Sequence, residues 1–176
     1  MNPLTAKLMF STLSAMLVRP GNFFSQGFER ISTVQASGVL LISSLFFAAS
    51  GALIDPGGTS MRTGLILFVN ALGMVGIGAV LNFLTVTIFG VRQCAFSRLW
   101  SVFCLCSAAV LLIAWVPGAF MLTEPWKWWL IGIGMVKGLG MTKTGAAITI
   151  LFTFGVLVML VYAIFPVTLA VGGVNR

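Results

Sequence analysis

Histidine is missing from this 176-residue chain, acidic residues number only three, and charged residues of both signs make up 7%. Without histidine the chain lacks the commonest transition-metal ligand, the usual haem ligand and the usual general base near neutral pH. The three carboxylates, Glu29, Asp55 and Glu124, are far apart in sequence. No paired acid and base, and no carboxylate relay at mid-membrane, is visible. Of the three cysteines, Cys104 and Cys106 are two apart on a predicted helix and point about 200° from each other, so a regular helix cannot offer both to one metal. Cys94 falls in a predicted cytoplasmic loop where thiols stay reduced, and a small interfacial filler is its plainest role. Arg92 and Arg98 beside it would also permit lipidation or a more reactive thiolate. These absences predict a non-enzyme with no catalytic residue, no cofactor and no metal site.

What the chain has is apolar surface. Hydrophobic residues make up 59%, whereas a soluble domain carries about a quarter charged residues; no water-facing surface could be built from this composition. Five apolar runs, 36–54, 63–90, 99–120, 126–141 and 146–171, approach or exceed the roughly 20 residues that cross a ~30 Å hydrocarbon layer. The fourth is short, at about 24 Å if helical. The predicted fold is an all-α integral membrane protein: a five-transmembrane-helix bundle over 36–176, preceded by interfacial amphipathic helices in 1–35.

The formal net charge of +7 would suggest nucleic acid in a soluble protein, but here the cations sit at membrane edges, so no nucleic-acid partner is expected. Lys7, Arg19, Arg30, Arg92, Arg98, Lys137 and Lys143 fall on one side of the predicted spans. Arg62, Lys127 and Arg176 fall on the other, with Asp55 and Glu124. The positive-inside rule then predicts a cytoplasmic N-terminus and an outer C-terminus. Arg19, Arg30, Arg92, Arg98, Lys137 and Lys143 form a cytoplasmic basic rim. It either contacts anionic lipid headgroups and partner subunits, at about 1 kcal/mol per charge, or serves topology only.

Lys7 is the sole early charge and no Ala-x-Ala site follows, which argues against a cleaved signal peptide. Residues 3–17 read as an interfacial helix, with Leu4, Leu8, Leu13, Leu17 and Val18 on or near one face and Thr5, Ser11 and Thr12 toward the other. Arg19-Pro20-Gly21 breaks it, and a second short helix is predicted from about Asn22. Phe23, Phe24 and Phe28 recur at about one turn and are expected in the headgroup boundary, with Phe23 and Phe24 as anchors; the two surface helices form either a small cytoplasmic platform or only an anchor that sets the entry angle of the first span. Trp126, Trp128 and Trp129 are expected as anchors at the outer interface. Lys137 would snorkel to the inner one.

Within the second run, Gly78, Asn82 and Thr85 share a helix face. An interhelical hydrogen bond there, worth about 0.6–2 kcal/mol, is the structural reading; a polar spot for a solute is the functional one. Ser44, Ala48 and Ala52, the GxxxG pair Gly134 and Gly138, and Gly145, Thr149 and Thr153 read as small-residue stripes for helix packing. The short, glycine-rich fourth run also admits a broken helix that lines a cavity.

Arg19 and Pro20 followed by paired Phe23 and Phe24, the connection IFGVRQCAFSRLWSVF at 88–103, the turn WVPG at 115–118 and the closing stretch LIGIGMVKGLGMTKTGAAITILF at 130–152 resemble the YIP1 family of membrane proteins over nearly the full length. The chain is similar to compact bacterial members, which implies a multi-pass protein of a bacterial cytoplasmic (inner) membrane without enzymatic activity. Eukaryotic members sit in Golgi and endoplasmic-reticulum membranes and bind small GTPases through a long cytosolic domain. Only some 35 residues precede the first run here, which argues against a small GTPase as partner. The function expected is that of a scaffold or accessory subunit of a membrane assembly, with membrane lipids and other membrane subunits as partners. The alternative is a small channel or transporter, formed by several copies.

Overall fold

The computed structural model describes residues 6–54, 60–90, 94–116 and 118–172, with side chains over 12–54, 61–90, 94–116, 118–119 and 121–160. Asp55, Arg92, Arg176, Leu4 and Thr5, and the side chains of Leu8 and Ser11, lie outside these residues. Among the described residues the chain is all helical, with no strand: α1 (Ala6–Val18), α2 (Pro20–Asn22), α3 (Thr33–Ile54), α4 (Ser60–Ile88), α5 (Phe96–Ala114), α6 (Phe120–Ile133) and α7 (Lys143–Gly172). A π turn (Phe23–Gly27) and a 3-10 turn (Phe28–Arg30) join α2 to α3, and a second π turn (Gly134–Gly138) extends α6. Among the described residues four helices are long and apolar enough to cross a membrane: α3, α4, α5 and α7. By helix length and hydropathy this is a multi-pass membrane protein.

α5 is the centre of the bundle. In its most apolar stretch 61% of residues are buried, against 28% or less in the other three long helices, and every residue from Ser101 to Val110 is buried. Its small side chains, Ser101, Cys104, Cys106, Ser107, Ala108 and Ala109, let neighbours approach from all sides. α3 packs along it most extensively. Trp100 donates its indole N–H to Ser37 Oγ at 2.8 Å, and the Ser101 hydroxyl lies 3.3 Å from Thr33 Oγ1. These pairings join the start of α3 to the start of α5, and Phe46, later in α3, meets Trp115 at the end of α5 at 6.4 Å between ring centroids, so α3 and α5 run in the same direction.

The other helices alternate in direction. Gly64 at the start of α4 lies against Ala52 near the end of α3, Trp128 of α6 meets Phe103 of α5, and Asn82 late in α4 reaches Thr153 early in α7. Each contact joins the late part of one helix to the early part of another. α3, α5 and α7 therefore point one way, and α4 and α6 the other.

Several boundaries differ from those expected. α3 starts at Thr33, before position 36, because Ser32 and Gln35 form a reciprocal cap: Gln35 N–H donates to Ser32 Oγ at 3.2 Å and Ser32 N–H to Gln35 Oε1 at 3.0 Å. α5 stops at Ala114, before position 120, where the chain turns through Gly118 at φ +84°. α6 consequently begins at Phe120, not 126, and Glu124, expected in an outer loop, lies inside the helix. As a 14-residue α-helix, α6 is about 21 Å long. Gly140, at φ +66°, closes the turn after it, and Thr142 caps α7 by accepting from Gly145 N–H at 3.1 Å.

The N-terminal segment departs most from expectation. α1 breaks at Arg19 as predicted from Pro20, but Leu13 and Met16 are buried while Val18 is 76% exposed, so Val18 does not share the packed face. Phe23, Phe24 and Phe28, expected in the headgroup boundary, are buried within the protein core. The segment is a platform docked onto the bundle.

Candidate functional site

The platform is held by a slot that two glycines open in the π turn after α6. A Cβ on Gly134 would lie 2.5 Å from Val102 Cγ1 and 3.1 Å from Phe24 Cε1 and Cζ. A Cβ on Gly138 would lie 3.1 Å from Phe28 Cδ1 and 3.4 Å from Phe24 Cδ1. The GxxxG pair thus packs against a membrane helix at Gly134, through Val102 of α5, and in addition seats the Phe24 and Phe28 rings. Phe24 also stacks edge-on with Phe23 at 5.1 Å and tilted with Phe28 at 5.6 Å between centroids, geometries that aromatic quadrupoles favour.

This docking arranges the basic residues. Arg98, half-buried, lies over the Phe28 ring at 5.4 Å, within cation–π range. Arg19 and Arg30, separated by ten residues of chain, line one groove of about 420 Å³ together with Asn22 and Gln26. Both arginines are exposed, and neither pairs with a carboxylate among the described residues. Lys137 and Lys143, also exposed, line a second groove with Gly21 of the platform. Five of the six residues singled out as a basic rim therefore gather around the docked platform; Arg92 lies outside the described residues.

The polar tie within the bundle joins two stripes that the sequence presents separately. Asn82 is fully buried, and its Nδ2 donates to Thr153 Oγ1 at 3.0 Å and lies 3.5 Å from the Thr149 carbonyl. The Thr153 hydroxyl in turn donates a hydrogen bond to the Thr149 carbonyl at 2.7 Å. Among the described residues Thr85 bonds within α4 alone, donating to the Leu81 carbonyl at 2.8 Å. Gly78 accommodates the Phe103 ring instead of a helix backbone. Among the described residues Asn82 Oδ1 has no partner, so the tie is anchored on one side of the amide.

At the opposite end of α6, Lys127 Nζ lies 2.7 Å from Glu124 and 5.9 Å from the Trp128 ring centroid. This pair borders an apolar cavity of about 300 Å³ between α4, α5, α6 and α7, with Ser107, Phe103 and Phe154 on its walls. Trp128 is half-buried there, between Phe103 and Phe154. Trp126 and Trp129 are exposed on the outer surface of α6, 5.2 Å apart. Of the three tryptophans expected as outer anchors, only these two face outward. Cys104 and Cys106 are buried in α5 and Cys94 is half-buried. No group of three His, Cys, Asp or Glu residues converges among the described residues.

The sequence reading missed the platform's receptor, because it treated Gly134 and Gly138 as a helix-packing motif and the paired phenylalanines as membrane anchors. Matching spacing was the available signal: Phe24 and Phe28, like Gly134 and Gly138, are four residues apart. The Glu124–Lys127 pair was equally accessible as an i, i+3 spacing. No protein-family model, curated protein or solved structure matches this chain.

Proposed function

We propose that this chain is a non-enzymatic scaffold or accessory subunit of a membrane assembly, spanning a bacterial cytoplasmic membrane five times with its N-terminus inside and its C-terminus outside. α6 with its π turn serves as the fifth span, running from Lys137 at the inner edge toward Phe120 at the outer side, with Trp126 and Trp129 exposed along it. The family resemblance to compact YIP1 proteins belongs to this proposal. A Golgi or endoplasmic-reticulum membrane would suit the same architecture.

One observation carries the reading: the docking of Phe24 and Phe28 on Gly134 and Gly138, which fixes a set of exposed cations at one end of the bundle. A rim that served topology alone would need charge near the membrane edge but no fixed geometry. A preorganised cationic edge loses less entropy on engaging an anionic headgroup or an acidic subunit. To test this, a photocrosslinking amino acid is placed at exposed Gln26 in living cells. A discrete adduct with another membrane protein, lost when Arg19→Gln and Arg30→Gln are combined, is the expected result; adducts to lipid alone would overturn the subunit role.

A second reading, a small channel or transporter built from several copies, draws on the cavity beside Glu124 and Lys127. Its apolar walls and internally neutralised pair suit an uncharged apolar molecule better than an ion. Flux in liposomes that depends on Ser107 and Trp128 would favour it.

A further inference from the structure

We infer that the groove between α6 and α7 is a binding site for an anionic glycerophospholipid of the cytoplasmic leaflet, its phosphate held by Lys137 and Lys143 and one acyl chain lying along the trough toward Trp128. The inference deepens the lipid-contact part of the proposed function and rests on the orientation proposed there, with these lysines at the inner edge.

The site follows from how α6 and α7 are placed. α6 packs chiefly on α5, and α7 chiefly on α4, so the two helices meet each other only along a narrow line. That line is marked by Gly132, where an added Cβ would come 3.3 Å from Ile150 Cδ1. On the surface above it runs a groove of about 560 Å³, within the range of built small-molecule pockets. Its floor and walls are apolar, including Ile133, Val136, Ala146 and Ile150. Among the described residues its only charged lining residues are Lys137 and Lys143, both exposed, with no acidic residue in the lining.

The two kinds of surface are separated along the groove. The cations stand at one end, beside Gly21 of the platform, and Trp128 and Trp129 at the other. From Lys137 back to Trp128 the helix rises roughly 13 Å, close to the ~15 Å depth of one leaflet's hydrocarbon. A soluble anion would satisfy the lysines but leave the apolar trough unfilled. A neutral lipid would fill the trough but leave both ammonium groups without a counter-charge. A lipid carrying an anionic headgroup on an acyl chain matches both ends, and Ala147, exposed at the groove's side, leaves room for the chain.

The test is native mass spectrometry of the intact protein released from bilayers that contain equal parts of phosphatidylglycerol and phosphatidylcholine with identical acyl chains. Retention of one phosphatidylglycerol per protein, in preference to phosphatidylcholine, is expected. Lys137→Gln and Lys143→Gln should each lower that retention about fivefold. Ala147→Trp, which fills the trough and leaves every charge in place, should abolish it, with an unchanged melting temperature confirming that the variant is folded. Added glycerol 3-phosphate should not compete. Equal retention of the two lipids, or retention that survives both lysine changes, would overturn the site. So would retention lost only with Arg19→Gln and Arg30→Gln, which would instead place the lipid at the platform groove and leave the proposed rim intact. Absence of any protein adduct from Gln26 in the otherwise unaltered chain, with this lipid still bound, would sink the subunit reading and spare the lipid site.

Discussion

Phe24 rests on Gly134 so closely that a Cβ there would stand 3.1 Å from two of its ring carbons, and this contact turns a short, broken N-terminal segment into part of the bundle. Replacing Gly134 with Ala also drives a methyl to 2.5 Å from Val102 Cγ1, forcing α5, the platform or both to shift. Overpacking of this kind costs about 1–3 kcal/mol. Thermal unfolding in detergent should show a clear loss for Gly134→Ala and a smaller one for Gly138→Ala. Gly155→Ala, where nothing lies within 4 Å, should be neutral or slightly stabilising because alanine favours the helix. Equal effects at all three positions would remove the slot from the account.

The Asn82–Thr153 bond predicts coupling between α4 and α7. Asn82→Leu and Thr153→Val should each destabilise by about 0.6–2 kcal/mol, and the double variant should lose little more than either single one. Because Asn82 Oδ1 is already without a partner among the described residues, the cost belongs at the lower end of that range. Strict additivity in the double-mutant cycle would show that the two residues do not interact.

Glu124 and Lys127 predict an asymmetry between single and paired changes. Glu124→Gln leaves a lysine that is only 18% exposed, beside Trp128 and without its counter-charge. Removing one partner of a sheltered pair is more damaging than removing both. The double change Glu124→Gln with Lys127→Gln should therefore melt above Glu124→Gln alone in nanodiscs. The reverse order would mean that solvent already screens the pair.

The orientation predicts the behaviour of topology reporters. A reporter active only outside the cytoplasm should work when fused after Arg176 and fail when inserted in the 91–98 loop. Adding two arginines beside Arg62 should weaken the preference, since the balance of positive charge across the membrane would narrow. Activity in the 91–98 loop would reverse the assignment.

The long helices were legible in sequence because hydrophobicity over some 20 residues leaves little choice in a membrane. Their ends were not, since capping decides them: Ser32 and Gln35 carry the capping-box spacing that starts α3 at Thr33, and Gly118 sets where α6 can begin. The Asn82 face was legible as an interhelical contact, and Thr149 and Thr153 as a stripe, but which helix answers which depends on three-dimensional neighbours. A platform was one of the two readings the N-terminal segment allowed, but the seat of its phenylalanines was misread for a related reason. A stretch rich in phenylalanine has the same composition whether it dissolves in a headgroup layer or seats in a glycine slot, and only the receptor distinguishes the two. Lys137 and Lys143 were legible as edge charges, whereas the trough between them and Trp128 arises from two helices that diverge, a property of packing that no local pattern encodes.

The central claim is that the N-terminal segment is a fixed part of the bundle that holds the cationic edge in place. Electron-spin distance measurement in nanodiscs, between labels at exposed Gln26 and exposed Thr144 in a chain whose Cys94, Cys104 and Cys106 are changed to serine, tests it most directly. One narrow distance that broadens when Gly134→Val evicts Phe24 is the predicted result. A broad distribution in the parent chain, unaltered by Gly134→Val, would contradict it.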